Sequence, residues 1–410
     1  MKILISAYTC NPTKGGESAN GYNWAYYNTL LGHEVWCITV INSKKYIEQY
    51  LANHHVPNLH FIYVDVADWV QRMYKYQPGV YLKYLIWQNN AARIAKELDK
   101  KIDFDVIHHV TWGSLQLGTA MWRLNKPLIF GPVGGGQTAL TPFKKYFLHG
   151  WRQEITRKWI SKLLLAINPN VRKTVRKAKI VLVTNQETYV MVKELGANNV
   201  SYFLDTSLPE NFAPVAAPEL PKSEILRILW VGRLIARKGL SLVLEALSKV
   251  KSGVPFRLTI LGGGRLSEFV PGWIKEYKLE GKVDWKGQVP WEEVKQAYQT
   301  HDVFMFCSLR DSFASQFLEA MAYGLPIITL NIHGIKALVP DDVGIKAEAE
   351  NPDDTLTQLA AAVEYMYQHP AERIAFGKKG YEFAKTQVWP IKIGLINTYY
   401  EKYSHSNFKV

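Results

Sequence analysis

Residues 228–250 read ILWVGRLIARKGLSLVLEALSKV, and the order of features in this stretch decides the fold. Residues 228–231 form a short apolar run of strand length, Gly232-Arg233-Leu234 and Arg237-Lys238-Gly239 form a polar loop, and residues 241–250 carry the apolar spacing of a helix. A strand that feeds a glycine-containing loop and then a helix is the opening of a βαβ unit. The pattern continues downstream, with strands expected at 258–261, 303–306 and 327–330 and helices at 292–299 and 316–323. Such alternation predicts a parallel sheet covered by helices on both faces.

Upstream, residues 205–223 are polar and carry Pro209, Pro214, Pro218 and Pro221, which reads as a linker. Before it the same alternation recurs, with short apolar runs at 3–7, 35–40, 61–64, 106–108, 128–130, 180–183 and 200–203. Two doubly wound α/β domains facing a central cleft are therefore expected: 1–205, a linker at 206–223, then 224–388. Ligands in such sheets sit beyond the carboxyl ends of the strands, so the loops there are where chemistry is sought.

Three stretches of the second half carry candidate chemistry. Arg233 can donate two parallel hydrogen bonds to a diphosphate while Lys238 adds a compact charge near a helix start, and together they can stabilise a departing diphosphate without a metal; the alternative is two surface cations on a turn. Gly262-Gly263-Gly264 follows a strand, and missing side chains there let a nucleotide approach the backbone, or simply make a tight strand-to-helix turn. The richest segment runs from Ser308 to Pro326. Asp311 and Glu319 stand eight positions apart, Phe317, Leu318, Met321 and Ala322 give a helical apolar face, and Gly324 and Pro326 end it. Backbone N–H groups at that helix start suit a phosphate, with Glu319 directed to a ribose and Asp311 to sugar hydroxyls. The plainer reading of each acid is a helix-dipole partner or a surface carboxylate.

Composition bounds the rest. With 410 residues and 48% hydrophobic content the chain can bury two cores of domain size. Residues 3–7 are followed at once by polar positions, too short for a signal peptide or a membrane span, so no export signal is expected. Cys10, Cys37 and Cys307 are few and far apart, which fits buried thiols in a reducing compartment. The net charge of +13 is concentrated: residues 141–180 hold eleven Lys and Arg against one acid, Glu154. Phe143, Tyr146, Phe147, Trp151 and Trp159 lie in the same stretch, which reads either as basic amphipathic helices for an anionic membrane surface or as a helix pair with aromatics in the core and a solvated basic face. Nucleic acid is not expected as a partner, because no helix-turn-helix, RNP or zinc-ligand spacing accompanies the charge.

Taken together, Gly232-Arg233, Lys238-Gly239, the triple glycine and the segment from Asp311 to Pro326 resemble the retaining glycosyltransferases of family 4, which pair an acid-x7-acid motif with a Gly-x-Pro stop. Lys14-Gly15-Gly16-Glu17 looks like that family's loop between first strand and first helix, and Gly32-His33-Glu34-Val35 like its entry into the second strand. Asp105-Val106-Ile107-His108-His109 looks like the strand that presents a histidine to the cleft. Residues 131–136, GPVGGG, resemble a loop of a bacterial subgroup that makes surface polysaccharides.

What the resemblance implies is a GT-B fold with two Rossmann-like domains and a C-terminal helix, 389–410, crossing back onto the first. It implies Arg233 and Lys238 on the diphosphate, Glu319 on the ribose, Asp311 with the backbone of Phe313, Ala314 and Ser315 around sugar and phosphate, and Gly15 and Gly16 approaching the phosphates from the first domain. Gly232 and Gly263 belong to the same cofactor-binding set. The reaction would retain anomeric configuration and require neither metal nor side-chain nucleophile, the donor being a nucleotide-sugar and the acceptor a lipid-linked or glycan molecule. From the sparse cysteines and the basic stretch 141–180, the expected location is cytoplasmic, peripheral at the inner face of the cell membrane.

The chain departs from the family pattern at three places: Asp311 stands where glutamate is usual, Ser312 and Ala314 replace two glycines, and His-x-His reads His108-His109-Val110. Alternation puts His108 and His109 on opposite faces, and either is the candidate for the cleft. Other readings of the whole are a sugar-nucleotide epimerase or phosphorylase on the same scaffold, or a non-catalytic membrane-surface scaffold. Tyr81, Tyr84, Trp87 and Trp112 either line an acceptor cleft or belong to the core.

Overall fold

The computed structural model describes residues 1–67, 69, 77–218 and 224–404. By internal contacts the chain divides into two compact units, one made of Met1–Gly136, Trp159–Ser207 and Trp389–Val410 and the other of Gln137–Lys158 and Leu208–Val388.

The first unit holds a seven-stranded parallel sheet: β1 (Lys2–Ser6), β2 (Glu34–Val40), β3 (Leu59–Val64), β4 (Val106–His109), β5 (Leu128–Val133), β6 (Ile180–Val183) and β7 (Val200–Tyr202), in the order β3-β2-β1-β4-β5-β6-β7. The central strands are apolar end to end because helices bury both faces, so they show no alternation. Leu4, Ile38, Ile107 and Phe130 point to one core, shared with helix Gln77–Ile102, and Ile3, Ile5, Cys37 and Ile129 to the other, shared with helix Glu17–Leu30. Helix Trp389–Tyr403 closes that second core with Trp389, Ile393, Ile396 and Tyr400, and the Trp389 and Trp24 rings meet edge to face at 5.5 Å. Lys392 on this helix is fully enclosed and donates to the carbonyls of Leu204 at 2.5 Å and Thr206 at 2.7 Å.

The second unit holds six parallel strands: β8 (Leu226–Val231), β9 (Phe256–Leu261), β10 (Val283–Gly287), β11 (Val303–Met305), β12 (Ile327–Leu330) and β13 (Gly344–Ala347), in the order β10-β9-β8-β11-β12-β13. β10 and β13 were not among the expected strands. Both are edges of the sheet, β10 alternates half-buried with exposed residues, and β13 opens on a glycine, so neither has the apolar run that marks an interior strand. Of the expected linker 206–223, residues 219–223 lie outside the described residues, as do 405–410 of the expected terminal segment.

Residues 141–180 do not stay together as part of the first domain. Thr141–Gly150 is a set of 3₁₀ turns that buries Phe143, Tyr146 and Phe147 within the second unit, where the Tyr146 hydroxyl donates to Glu245 at 2.9 Å and Lys145 pairs with the same carboxylate at 2.9 Å. Those three aromatics are core residues, not interfacial ones. Helix Trp151–Ile167 differs, for it buries no residue: Ile155, Trp159, Leu163 and Ile167, spaced four apart on one face, are 42%, 66%, 56% and 64% exposed. No helix among the described residues is long and apolar enough to cross a membrane.

Candidate functional site

In each sheet the chain reverses direction of build at one place, between β1 and β4 in the first and between β8 and β11 in the second. At such a switch point the two strand-end loops diverge and leave a crevice. In the second unit these loops are 232–239 and 306–314, and they are stitched together. The Leu309 N–H donates to the Arg237 carbonyl at 2.8 Å and the Ser308 hydroxyl to the same oxygen at 3.0 Å. Gly239 adopts φ +69° and a Cβ there would run into the Cys307 carbonyl, so only glycine lets the loops approach this closely.

The expected carboxylate is here, with partners the sequence did not assign to it. Asp311 Oδ2 accepts from Lys238 Nζ and lies 3.0 Å from Arg237 Nη1. Burial acts to raise the Asp311 carboxyl, but Lys238 and then Arg237 outweigh it and hold it below the usual range. Burial lowers the Lys238 ammonium, and the neighbouring Asp311 opposes that shift. Lys238 is thus mostly enclosed and anchored to an acid, whereas Arg233 is exposed.

Arg233 lines a cavity of about 470 Å³ together with Arg237, Arg265, Arg310 and residues 147–150, 153 and 154. Arg310 pairs with Glu154: Nη2 donates to Oε1 at 3.1 Å, and Nε lies at ion-pair distance, 2.6 Å, from Oε2. A second polar tie joins Gln137 Nε2 to the Ser312 hydroxyl at 2.8 Å. The segment Gln137–Lys158 therefore forms part of the wall around the loop that follows β11. Arg237, Arg265, Arg310 and Glu154 were not singled out as site residues; the readable signals were Arg265 directly after the triple glycine and Glu154 as the lone acid in a run of bases.

The glycines of that triplet act on their own backbone. Gly262 has φ +146° and Gly264 φ +153°, and a Cβ on either would strike the carbonyl of Gly232 or Leu234, while a Cβ on Gly263 would meet nothing nearer than 3.6 Å. Gly232 is confined by the Phe306 ring. Phe313 and Ala314 are buried before helix Ser315–Ala322, and Ser315 opens it. Glu319 lies one turn into this helix and accepts from the Tyr298 hydroxyl at 2.9 Å. Burial raises its carboxyl, against hydrogen bonds from Ser315 and Tyr298.

In the first unit Gly16 caps helix Glu17–Leu30 with φ +66°, and neither Gly15 nor Gly16 would meet an atom within 4 Å if given a Cβ. Glu17 crosses the β1–β4 switch point to accept the Trp112 N–H at 2.6 Å. The expected cleft histidine is a correction, because both histidines are fully enclosed core residues. His108 lies between Tyr400 Oη at 2.7 Å and the Gly131 carbonyl at 2.6 Å, and His109 between Tyr84 Oη at 3.1 Å and Ser6 Oγ at 3.0 Å. Burial lowers each to about 3. Strand alternation does send them to opposite faces, but helices cover both. Tyr84 and Trp87 are likewise core, with Tyr81 and Trp112 half-buried against them.

Two parallel Rossmann-like sheets, the second with a cation-lined cavity at its switch point, make up the GT-B fold. Residues 216–383 match the family model for Glycosyl transferases group 1. The chain is 24% identical over 243 residues to the GPI3 subunit of phosphatidylinositol N-acetylglucosaminyltransferase from Saccharomyces cerevisiae, a match covering 58% of this chain and 52% of that one. It thus spans about half the length of that relative. WcaL of Escherichia coli strain K12, whose name places it in colanic acid biosynthesis, is 35% identical over 156 residues, covering 36% of this chain and 37% of WcaL. Among solved structures, sucrose-phosphate synthase from Thermosynechococcus elongatus superposes with a TM-score of 0.65 at 18% identity, covering 98% of each chain. HepE from Anabaena in complex with UDP and glucose superposes with a TM-score of 0.63 at 15% identity, covering 98% of this chain and all of HepE.

Proposed function

We propose that this protein is a retaining glycosyltransferase of family 4 that moves a hexosyl unit from a UDP- or GDP-sugar to a lipid-linked or polysaccharide acceptor, without a metal. The observation that carries the reading is the cavity at the β8–β11 switch point, lined by Arg233, Arg237, Arg265 and Arg310. Arg233 grips the diphosphate, Lys238 adds charge to it and keeps Asp311 in place, and Asp311 with the backbone of 313–315 orients the sugar. Glu319, braced by Tyr298, uses its remaining oxygen for the ribose. A fixed array of cations stabilises negative charge as the diphosphate leaves and needs no reorganisation to do so. The acceptor class is supported by the names of the relatives, one acting on phosphatidylinositol and one placed in polysaccharide biosynthesis.

The exposed stripe Ile155, Trp159, Leu163 and Ile167, flanked by Arg152, Lys158 and Lys162, supports peripheral attachment to the anionic inner face of the cell membrane. Incubating the purified chain with membranes and a panel of UDP- and GDP-sugars tests the catalytic reading. Nucleoside diphosphate should be released, release should survive a chelator, and Arg233→Ala, Lys238→Ala and Glu319→Ala should each abolish it. Undiminished release in all three variants refutes the site, and loss of release on chelation refutes the metal-free mechanism. Co-sedimentation with phosphatidylglycerol vesicles tests attachment, which Trp159→Glu should abolish.

A further inference from the structure

Two of the four arginines that line the β8–β11 cavity are already matched with acids. Arg310 is held by Glu154, and Arg237 shares Asp311 with Lys238. Arg233 and Arg265 have no ion-pair partner among the described residues, and both line the cavity. Their proximity is set by backbone. The Leu234 N–H donates to the Gly263 carbonyl at 2.9 Å and the Leu266 N–H to the Leu234 carbonyl at 3.1 Å, while Gly262 and Gly264 leave no room for a side chain between the loops. The loop after β9 is in this way zipped onto the loop after β8, and the two guanidinium groups open on one space.

Four arginines, Arg233, Arg237, Arg265 and Arg310, line the cavity with Glu154, and Lys238 and Asp311 adjoin it through the Arg237 pair; five cations against two carboxylates leave an excess of three positive charges. A sugar nucleotide is a diphosphate diester with about two negative charges. The nucleoside diphosphate it releases carries close to three, because a terminal phosphate loses its second proton near pH 6. We propose that Arg265 is the third cation of this site, matched to the charge that appears only as the sugar leaves.

This assignment rests on the glycosyltransferase reading above. In that reaction the bond between the anomeric carbon and the terminal phosphate oxygen breaks, and its electron pair stays on the oxygen. The acceptor hydroxyl oxygen bonds to the same carbon, and its proton passes to the phosphate and then to water. A contact stronger with the product anion than with the diester accelerates the step, whereas a contact equal for both only tightens binding. Arg265 is exposed in the free protein, so its guanidinium is solvated and its contribution is moderate rather than decisive.

The test is calorimetric titration of the full chain and of Arg265→Gln and Arg265→Lys with UDP, GDP, UDP-glucose and GDP-mannose, beside steady-state kinetics on membranes. Arg265→Gln should weaken the free nucleoside diphosphate about tenfold and the sugar nucleotide less than threefold, and should lower kcat more than it raises KM, with Arg265→Lys intermediate. Equal weakening of both ligand types, or of neither, overturns the proposal while the wild-type binding still supports the glycosyltransferase. Failure of the wild type to bind any of the four overturns both.

Discussion

Replacing Asp311 with asparagine keeps the side chain's shape and removes the charge that two cations share. Lys238 is almost enclosed and Asp311 is about four-fifths enclosed, so the loss leaves an ammonium and a guanidinium facing each other with little water between them. Breaking a buried ion pair from one side costs roughly 3–5 kcal/mol, and the part exposure of Asp311 brings this to about 2–4 kcal/mol. For a unit of this size that is on the order of 4–16 °C in Tm. A bound diphosphate would supply the missing negative charge, so UDP or GDP should raise the Tm of the variant by several degrees more than that of the wild type. Differential scanning calorimetry with and without nucleotide reads both effects. A variant as stable as wild type, or one whose nucleotide-induced shift is no larger, refutes the claim that Asp311 neutralises cations at a diphosphate site.

The two core histidines predict acid lability. Each has a folded pKa of about 3 against about 6.5 unfolded, so the unfolded chain takes up protons first and stability is lost as pH falls from about 6.5 toward 3, by up to roughly 5 kcal/mol per histidine. Urea titrations from pH 7 to 4 measure this, and a flat profile contradicts it. Lys392 has the opposite chemistry and the same slope. Its folded pKa of about 7 lies below its unfolded value, so between about pH 7 and 10 only the unfolded state is protonated and stability rises with pH; Lys392→Met should remove that rise. Gly262→Ala should unfold the second unit, whereas Gly263→Ala should alter stability by less than about 1 kcal/mol, as circular dichroism melts of the two would show.

The interior of both sheets was legible because a strand covered on both faces needs an unbroken apolar run, and β1, β6 and β8 have one. The edge strands β10 and β13 were not, since β10 alternates half-buried with exposed residues and β13 opens on a glycine and carries Lys346, so neither shows an apolar run. Arg233, Lys238 and Asp311 were legible as loop residues beyond strand ends, and the structure does gather them at one switch point. Their mutual pairing was not, because an ion pair between positions 238 and 311 depends on which strands become neighbours. The histidines failed for a related reason: alternation tells which face a side chain takes, not whether a helix from far along the chain, such as the one bearing Tyr400, will cover it. The stretch 141–180 was open to two readings, an interfacial surface or aromatics in the core beneath a basic face, and contiguity could not show that its parts differ: Phe143, Tyr146 and Phe147 turn inward while the next helix displays an apolar stripe.

The way the two units share the chain bears on how it can be cut and how it is made. The polypeptide passes from one unit to the other at 136/137, 158/159, 207/208 and 388/389. A fragment starting at residue 208 would lack the stretch that caps Glu245 and restrains Arg310, and would leave Phe143, Tyr146 and Phe147 behind without their cover. During synthesis the first unit waits for Trp389 and Tyr400 to seal its second core, so nearly the whole chain must emerge before either half is complete. Expression of the halves as separate genes should therefore give soluble material only when both are co-produced.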